Sequence, residues 1–236
     1  MRKMVTVAIV LAVLCAFIKP ASVGAESEKK EIGKIDDAIE VLEQMEQIPE
    51  KTIPPALLSN AGGIAIIPRV IKAGFIIGGR YGTGVLLVRD KEGRWSDPTF
   101  ISLTGGSIGW QIGVESIDII LVFKSMRSIE NIVKGKFTLG ADASVAAGPV
   151  GRQAEAATDV QLKSEIYSYS RSKGLFAGLT LEGAALQIDN DANEVFYGAE
   201  DIKARDVLSN KVPSTPPAAD KLKKLLGDYT SGKTKD

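Results

Sequence analysis

The sequence predicts an α+β fold: a strongly curved, mostly antiparallel β-sheet or partial barrel, with an N-terminal helix before it and C-terminal helices after it. Three observations carry this expectation. Between residues 60 and 198, short β-branched or apolar runs alternate with glycines, and runs of four to eight residues bounded by Gly, Pro and Asp read as strands joined by hairpins. Many of those glycines fall inside strand-like text, where they imply bulges, sharp curvature or the close approach of another backbone. On either side of this region, apolar residues recur instead at spacings of three and four, the signature of a helix with one buried face.

Residues 1–25 read as a signal peptide. Arg2 and Lys3 form a positive start, Met4 to Ile18 an apolar run of 15 residues, and Val23-Gly24-Ala25 a small-residue processing site. Cleavage before Glu26 and export follow, to a periplasmic or secreted location with peripheral membrane association. A retained anchor is one alternative, although 15 apolar residues fall short of the roughly 20 that span a bilayer. A lipoprotein is another, although Leu14 suits the processing site before Cys15 poorly.

Residues 26–230 read as one domain. Residues 26–50 supply its N-terminal helix, strongest over 27–47, with Ile32, Ile35, Ile39, Leu42 and Met45 on one stripe and Pro49, Pro54 and Pro55 ending it. The β-rich core, 60–198, follows as the runs GGIAIIPRV, GFIIGG, GVLLVRD, TFISLTGGSIGWQIG, DIILVFKS, KFTLGADASVAAGP, SEIYSYSRSKGLFAGLTLEGAALQI and EVFYG. Ser125–Val133 interrupts it as a short helix with Met126, Ile129 and Val133 inward and Gly135 as its stop. A polar hairpin turn joins ALQI to EVFYG. The C-terminal helices occupy 199–230: a short one at 199–209, a stiff connector with Pro213, Pro216 and Pro217, and a helix at 218–229. That last helix sets Leu222, Leu225, Leu226 and Tyr229 on one side and Lys221, Lys223 and Lys224 away from it. Residues 231–236 read as a disordered tail.

Composition removes several function classes. The chain has 29 basic and 29 acidic residues and no histidine. Without Arg2, Lys3 and Lys19 of the signal peptide, 26 basic residues face 29 acidic ones, a balance that argues against general coating of nucleic-acid phosphates. The missing imidazoles exclude Ser-His-Asp and Cys-His nucleophiles, His-ligated zinc and a proximal haem histidine. Cys15 is the single cysteine, so no intramolecular disulfide exists.

Short motifs add little. GDYTSGKT at 227–234 spells a phosphate-binding loop, but such a loop needs a strand before it and a helix after it, and the sequence runs only two residues further; no nucleotide is expected. Asp189, Asp191, Asn193 and Glu200 have calcium-loop spacing, yet Glu194 stands where the sharp turn needs glycine, so no metal is expected. Trp95 and Trp110 read as core residues. Glu182, in GLTLEGAAL, is the one acid expected to be buried, as a structural rather than catalytic carboxylate.

The remaining signal is basic. Residues 60–94 carry Arg69, Lys72, Arg80, Arg89, Lys91 and Arg94 against Asp90 and Glu92. Cations beside amides freed by glycine turns suit a phosphorylated head group; a solvated sheet rim is the plainer account.

Four ordered motifs, VIKAGFIIGGRYGTGVLLVRD, GRWSDPTFISL, FTLGADASVAAGPVGR and YSRSKGLFAGLTLEG, resemble the SYLF domain, a lipid-binding module also described as actin-binding in fungal actin-patch proteins. The similarity runs from about Ile35 to Tyr229 and includes FYGAEDIKARDVL. It implies binding of anionic phospholipids, phosphoinositides in particular, without catalysis or cofactor. Carried over by position, it makes Lys72, Arg80 and Arg89 basic motif positions, with Arg69 beside them, and so assigns lipid binding to these four. The alternative it leaves is a structural or protein-interaction module, actin-binding in kind. One departure stands out: residues 26–50 hold nine acids against Lys29, Lys30 and Lys34, where membrane-binding members carry a basic helix. The N-terminal stripe is therefore expected to pack on the sheet, and the lipid site to lie on the core.

Overall fold

The computed structural model describes residues 21–46, 53–150, 163–172 and 175–231. Its first element is helix α1 (Ala21–Glu46). The expected stripe is the face it buries: Ile35, Ile39, Leu42 and Met45 are at most 2 % exposed, and Ile32 is partly covered. Ala38 and Val41 widen that stripe, as a helix laid on a broad core requires. Cleavage before Glu26 would trim the first five residues, Ala21 to Ala25, from this helix.

Two long strands, β1 (Gly63–Val88) and β2 (Thr99–Phe123), pair as an antiparallel ribbon from Gly63 with Phe123 to Leu86 with Thr99. The expectation of many short hairpin strands is corrected here. GGIAIIPRV, GFIIGG and GVLLVRD fall along β1, and TFISLTGGSIGWQIG and DIILVFKS along β2. The physical reason is that the glycines bend the ribbon rather than end it. The register slips between Ile67 and Val70 and again between Gly74 and Ile76, and beyond the second slip β1 returns past its own first half. A β-carbon on Gly78 would sit 2.8 Å from Gly74 Cα, and one on Gly84 would sit 2.6 Å from Ile67 Cα. Backbones this close leave no room for a side chain. The Arg89 N–H donates to the Gly62 carbonyl at 2.9 Å, which ties the two ends of β1 together.

Five shorter strands extend the sheet: β3 (Phe137–Thr138), β4 (Val145–Ala147), β5 (Ile166–Ser172), β6 (Leu175–Gly178) and β7 (Ala185–Ile188). Their order is β3-β7-β2-β5-β4, with β1 on β2 and β6 on β5, and β4 with β5 is the one parallel pair among them. The result is the curled, mostly antiparallel half-barrel that the sequence predicts.

Both faces of the sheet are covered. On one, Ile64, Ile66, Val85, Leu87, Phe100, Ile120, Val122 and Tyr169 meet α1. On the other, Ala65, Ile67, Val70, Leu86, Ile101, Leu103, Ile119, Leu121 and Phe123 meet helix α3 (Met126–Lys134), which follows the short α2 (Pro55–Ser59) in the chain. Within α3 the inward residues are Ile129 and Ile132; Met126 is 39 % exposed. The expected stripe of Met126, Ile129 and Val133 is thus rotated, because Ile132 fills the position three residues after Ile129.

The C-terminal third brings further corrections. The segment expected to be a hairpin turn and a strand is helix α4 (Asn190–Tyr197). Asp189 caps it, its carboxylate accepting the Ala192 N–H at 3.1 Å, and Gly198 ends it at φ 61°. Both are standard helix-end signals. Asn193 is fully buried, accepts the Phe100 N–H at 2.9 Å and donates to Thr99 Oγ1 at 2.9 Å, so α4 is bolted to the start of β2. The helix expected at 199–209 is only α5 (Ala204–Leu208). Glu182 is exposed rather than buried, since it sits in a turn with Gly183 at φ 79°. Trp95 is 6 % exposed, as a core residue should be; the side chain of Trp110 lies outside the description.

Helix α6 (Pro217–Thr230) docks on its own domain as expected: Leu222 and Leu226 are buried, and the Tyr229 hydroxyl donates to the Leu42 carbonyl of α1 at 2.7 Å. Lys223 breaks the expected pattern. It turns inward to Asp97, which is buried, at 2.7 Å and also reaches Asp220 at 3.0 Å. Thr215 Oγ1 donates to the same Asp97 at 3.2 Å, and the Asp97 N–H donates to Asn210 Oδ1 at 2.7 Å. Burial alone would push the Lys223 amine down, but its two carboxylate partners outweigh burial and hold it above the usual lysine range.

Candidate functional site

The four cations singled out in the sequence do not form one rim. Arg69 occupies the first slip of β1, after Pro68, with φ 48°, a left-handed conformation that costs a non-glycine residue on the order of 1 kcal/mol. Its N–H donates to Asp118 Oδ1 at 2.9 Å, and its guanidinium, still 68 % exposed, pairs with Asp37 of α1. Arg89 lies at the other end of β1. There its Nε donates to the Gly93 carbonyl at 3.0 Å and a terminal nitrogen donates to the Ser59 carbonyl. It clamps the loop between β1 and β2 to α2 and is committed to that work.

Lys72 and Arg80 are brought together. The slip at Pro68–Arg69 shifts the side-chain alternation by one, so Ile67 and Val70 enter the same core and Lys72 continues on that side. On the returning arm, Leu86 and Val88 enter that core too, and Arg80 shares their parity. The side chain agrees: Arg80 Cγ is 3.4 Å from the place where a Gly105 β-carbon would be, close against Ala184. Gly82 lies beside Val70 and Gly78 beside Gly74, which sets Arg80 level with Lys72 on the inner side of the bent ribbon. Arg80 Nε is buried without a hydrogen-bond partner, and burial pulls the guanidinium below its usual range. Neither residue has an ion pair among the described residues. Glu115 lies across the ribbon from Lys72 and accepts a hydrogen bond from Ser172 at 3.2 Å.

A second feature was not legible in the sequence. On the outer face a cleft of ≈ 340 Å³ opens between α1 (Asp37, Glu40, Val41), the β1 slip (Pro68, Arg69), β2 (Ser116, Asp118) and Arg171 of β5. Asp118 is only 9 % exposed; it accepts from Arg171 Nε at 2.8 Å and from a terminal nitrogen at 2.5 Å. Burial raises the Asp37 carboxyl above its usual range despite Arg69, and Glu40 and Asp36 add to that. Three acids and two arginines line the cleft, so it carries one net negative charge and repels rather than attracts phosphate. These residues are scattered from position 37 to 171; Arg69 is a candidate in the sequence and Arg171 falls in one of its motifs, but no pattern there joins them.

Neither place assembles a nucleophile with a base. No group of acids, histidines or cysteines suited to a metal occurs among the described residues, and none of their helices is long and apolar enough to cross a membrane. Of the four calcium-spaced residues, Asp189 serves as a helix cap and Asn193 as a buried clamp.

Comparison with known proteins places the chain in a family. A family model described as Ysc84, Las17-binding protein actin regulator, matches residues 104–229. The chain is 42 % identical over 180 residues to Protein YSC84 of Saccharomyces cerevisiae, which covers 75 % of this chain and 38 % of that protein. It is 38 % identical to the SH3 domain-containing YSC84-like protein 1 of Xenopus laevis, over 77 % of this chain and 54 % of that one. A Schizosaccharomyces pombe SH3 domain-containing protein is 39 % identical over 210 residues, 88 % of this chain and 48 % of its own length. The chain therefore spans about half or less of the relatives it matches. With a match over more than half of its residues and a curled sheet carrying all four motifs, the chain belongs to the Ysc84 family of SYLF-domain proteins.

Proposed function

We propose that the chain is a non-catalytic recognition module that docks a protein partner, of the actin-regulating kind for which its relatives are named. The observation that carries this is the outer cleft: a concave site with three acids and two arginines, net acidic, closed by its own ion pairs and suited to a basic protein segment. Glu40 is its least committed acid, held among the described residues by Gln44 alone, at 2.6 Å. Co-sedimentation with filamentous actin tests the reading. The wild-type chain should pellet with filaments, and Glu40→Arg should weaken binding by about tenfold, or ~1.4 kcal/mol, at unchanged melting temperature. Binding indifferent to charge reversal at Glu40, Asp37 and Arg171 would remove the cleft from the account.

Binding of anionic phospholipid is the second reading, favoured by a different observation: Arg80 is a half-buried guanidinium with no counter-ion among the described residues, and Lys72 stands level with it. A charge so placed is costly unless a ligand anion completes it. Arg69 and Arg89, engaged elsewhere, drop out of this version of the site. Salt-sensitive flotation with phosphatidylglycerol vesicles, and none with phosphatidylcholine, is the expected result. Export remains part of the proposal on the strength of residues 1–25; the mass of the mature N-terminus tests it.

A further inference from the structure

We infer that the bend of the β1–β2 ribbon is a membrane wedge, inserting its apolar end into a bilayer surface while Lys72 and Arg80 hold lipid phosphates behind it. The inference rests on the lipid reading above and adds which end of the molecule meets the bilayer and how deeply. Among the residues whose side chains are described, five large hydrophobic ones are notably exposed, and three of them, Ile71 (44 %), Tyr81 (56 %) and Val114 (74 %), lie on the two arms that lead to this bend. Ile71 is opposite Ser116 and Val114 is opposite Ala73, so Ile71 and Val114 share the outer face. The sequence through the bend, AGFIIGG on one strand and TGGSIGWQIGV on the other, contains no charge. The nearest cations on β1 are Lys72 before it and Arg80 after it, both on the inner face.

The dimensions agree with such a wedge. Lys72 is two to four residues from the slip at Gly74–Ile76, and at about 3.3 Å per residue that leaves roughly 10 Å of uncharged ribbon beyond the cations. Amphipathic elements bury their apolar side to about 5–10 Å, which places Lys72 and Arg80 among the head groups. The apolar stripe of α1 is already buried in the core and is not available for insertion.

Vesicles of phosphatidylglycerol mixed with phosphatidylcholine test this with the full chain and four variants, each checked for an unchanged melting curve. Val114→Asp and Ile71→Asp should weaken binding about tenfold, and Val114→Leu should preserve it. Lys72→Gln should cost about fivefold and flatten the salt dependence. If the wild-type chain ignores these vesicles, the lipid reading itself fails. Should it bind, with Lys72→Gln weakened but both aspartate variants unaffected, docking is electrostatic alone and the wedge is refuted.

Discussion

At single positions, the glycines divide into those that the fold needs and those that it tolerates. A β-carbon on Gly84 would press into the backbone of Ile66 and Ile67, which cannot move aside, whereas one on Gly106 would meet nothing within 4 Å. Gly84→Ala should therefore destabilise the protein by ~2 kcal/mol or more, and Gly106→Ala by less than ~0.5 kcal/mol, as read by urea unfolding. Asp97 offers a second contrast. Asp97→Ala takes the acceptor from Thr215 and leaves the Lys223 amine only the exposed Asp220, and should cost about 3 kcal/mol, more than the loss of an exposed pair such as Arg69 with Asp37. Because the folded Lys223 amine is held above its ordinary value, its stabilising contribution is complete below the unfolded lysine value. It is lost as pH climbs through the higher folded one. Melting temperature should fall more steeply in alkaline buffer for the wild type than for Lys223→Met.

Among the elements, α6 is attached chiefly through Leu222 and Leu226, so Leu222→Ala should cost ~2–5 kcal/mol, while Lys224→Ala on the exposed side should cost almost nothing in thermal melting. The stripes of α1 and α6 were legible because a helix buries residues by a spacing that the sequence displays directly. Helix α4 was not read, although Asp189 and Gly198 announce its two ends; the β-branched and aromatic text EVFYG overrode them. Lys223 was misplaced for a related reason: helical spacing tells which side a residue is on, but not that Asp97, 126 positions away, waits inside. The long strands were read as fragments because glycine looks the same in sequence whether it ends a strand or bends one.

For the molecule as a whole, the curled sheet was foreseeable from glycine density, while the pairing of Lys72 with Arg80 depended on a one-residue slip at Pro68 that no pattern discloses. The cleft was beyond reach because its walls come from four separate elements. One consequence concerns truncation. Since α1 supplies a wall of the main core through Ile35, Ile39, Leu42 and Met45, deletion of residues 21–46 should abolish cooperative thermal unfolding. Loss of binding by such a fragment would then report collapse of the fold rather than removal of a contact.

The ribbon also sets an order of assembly. Its closest pairs lie at the 89–98 loop, where the Ser96 hydroxyl accepts the Val88 N–H at 3.0 Å and donates to the Asp97 carbonyl at 3.0 Å, whereas Gly63 must find Phe123 sixty residues downstream. Loop-closure entropy makes zippering outward from that loop the fastest route. Ser96→Ala should therefore slow refolding, and substitutions at Phe123 should instead hasten unfolding in stopped-flow measurements. During synthesis, the 26 residues of β1 must wait for their partner until the ribosome delivers the returning strand.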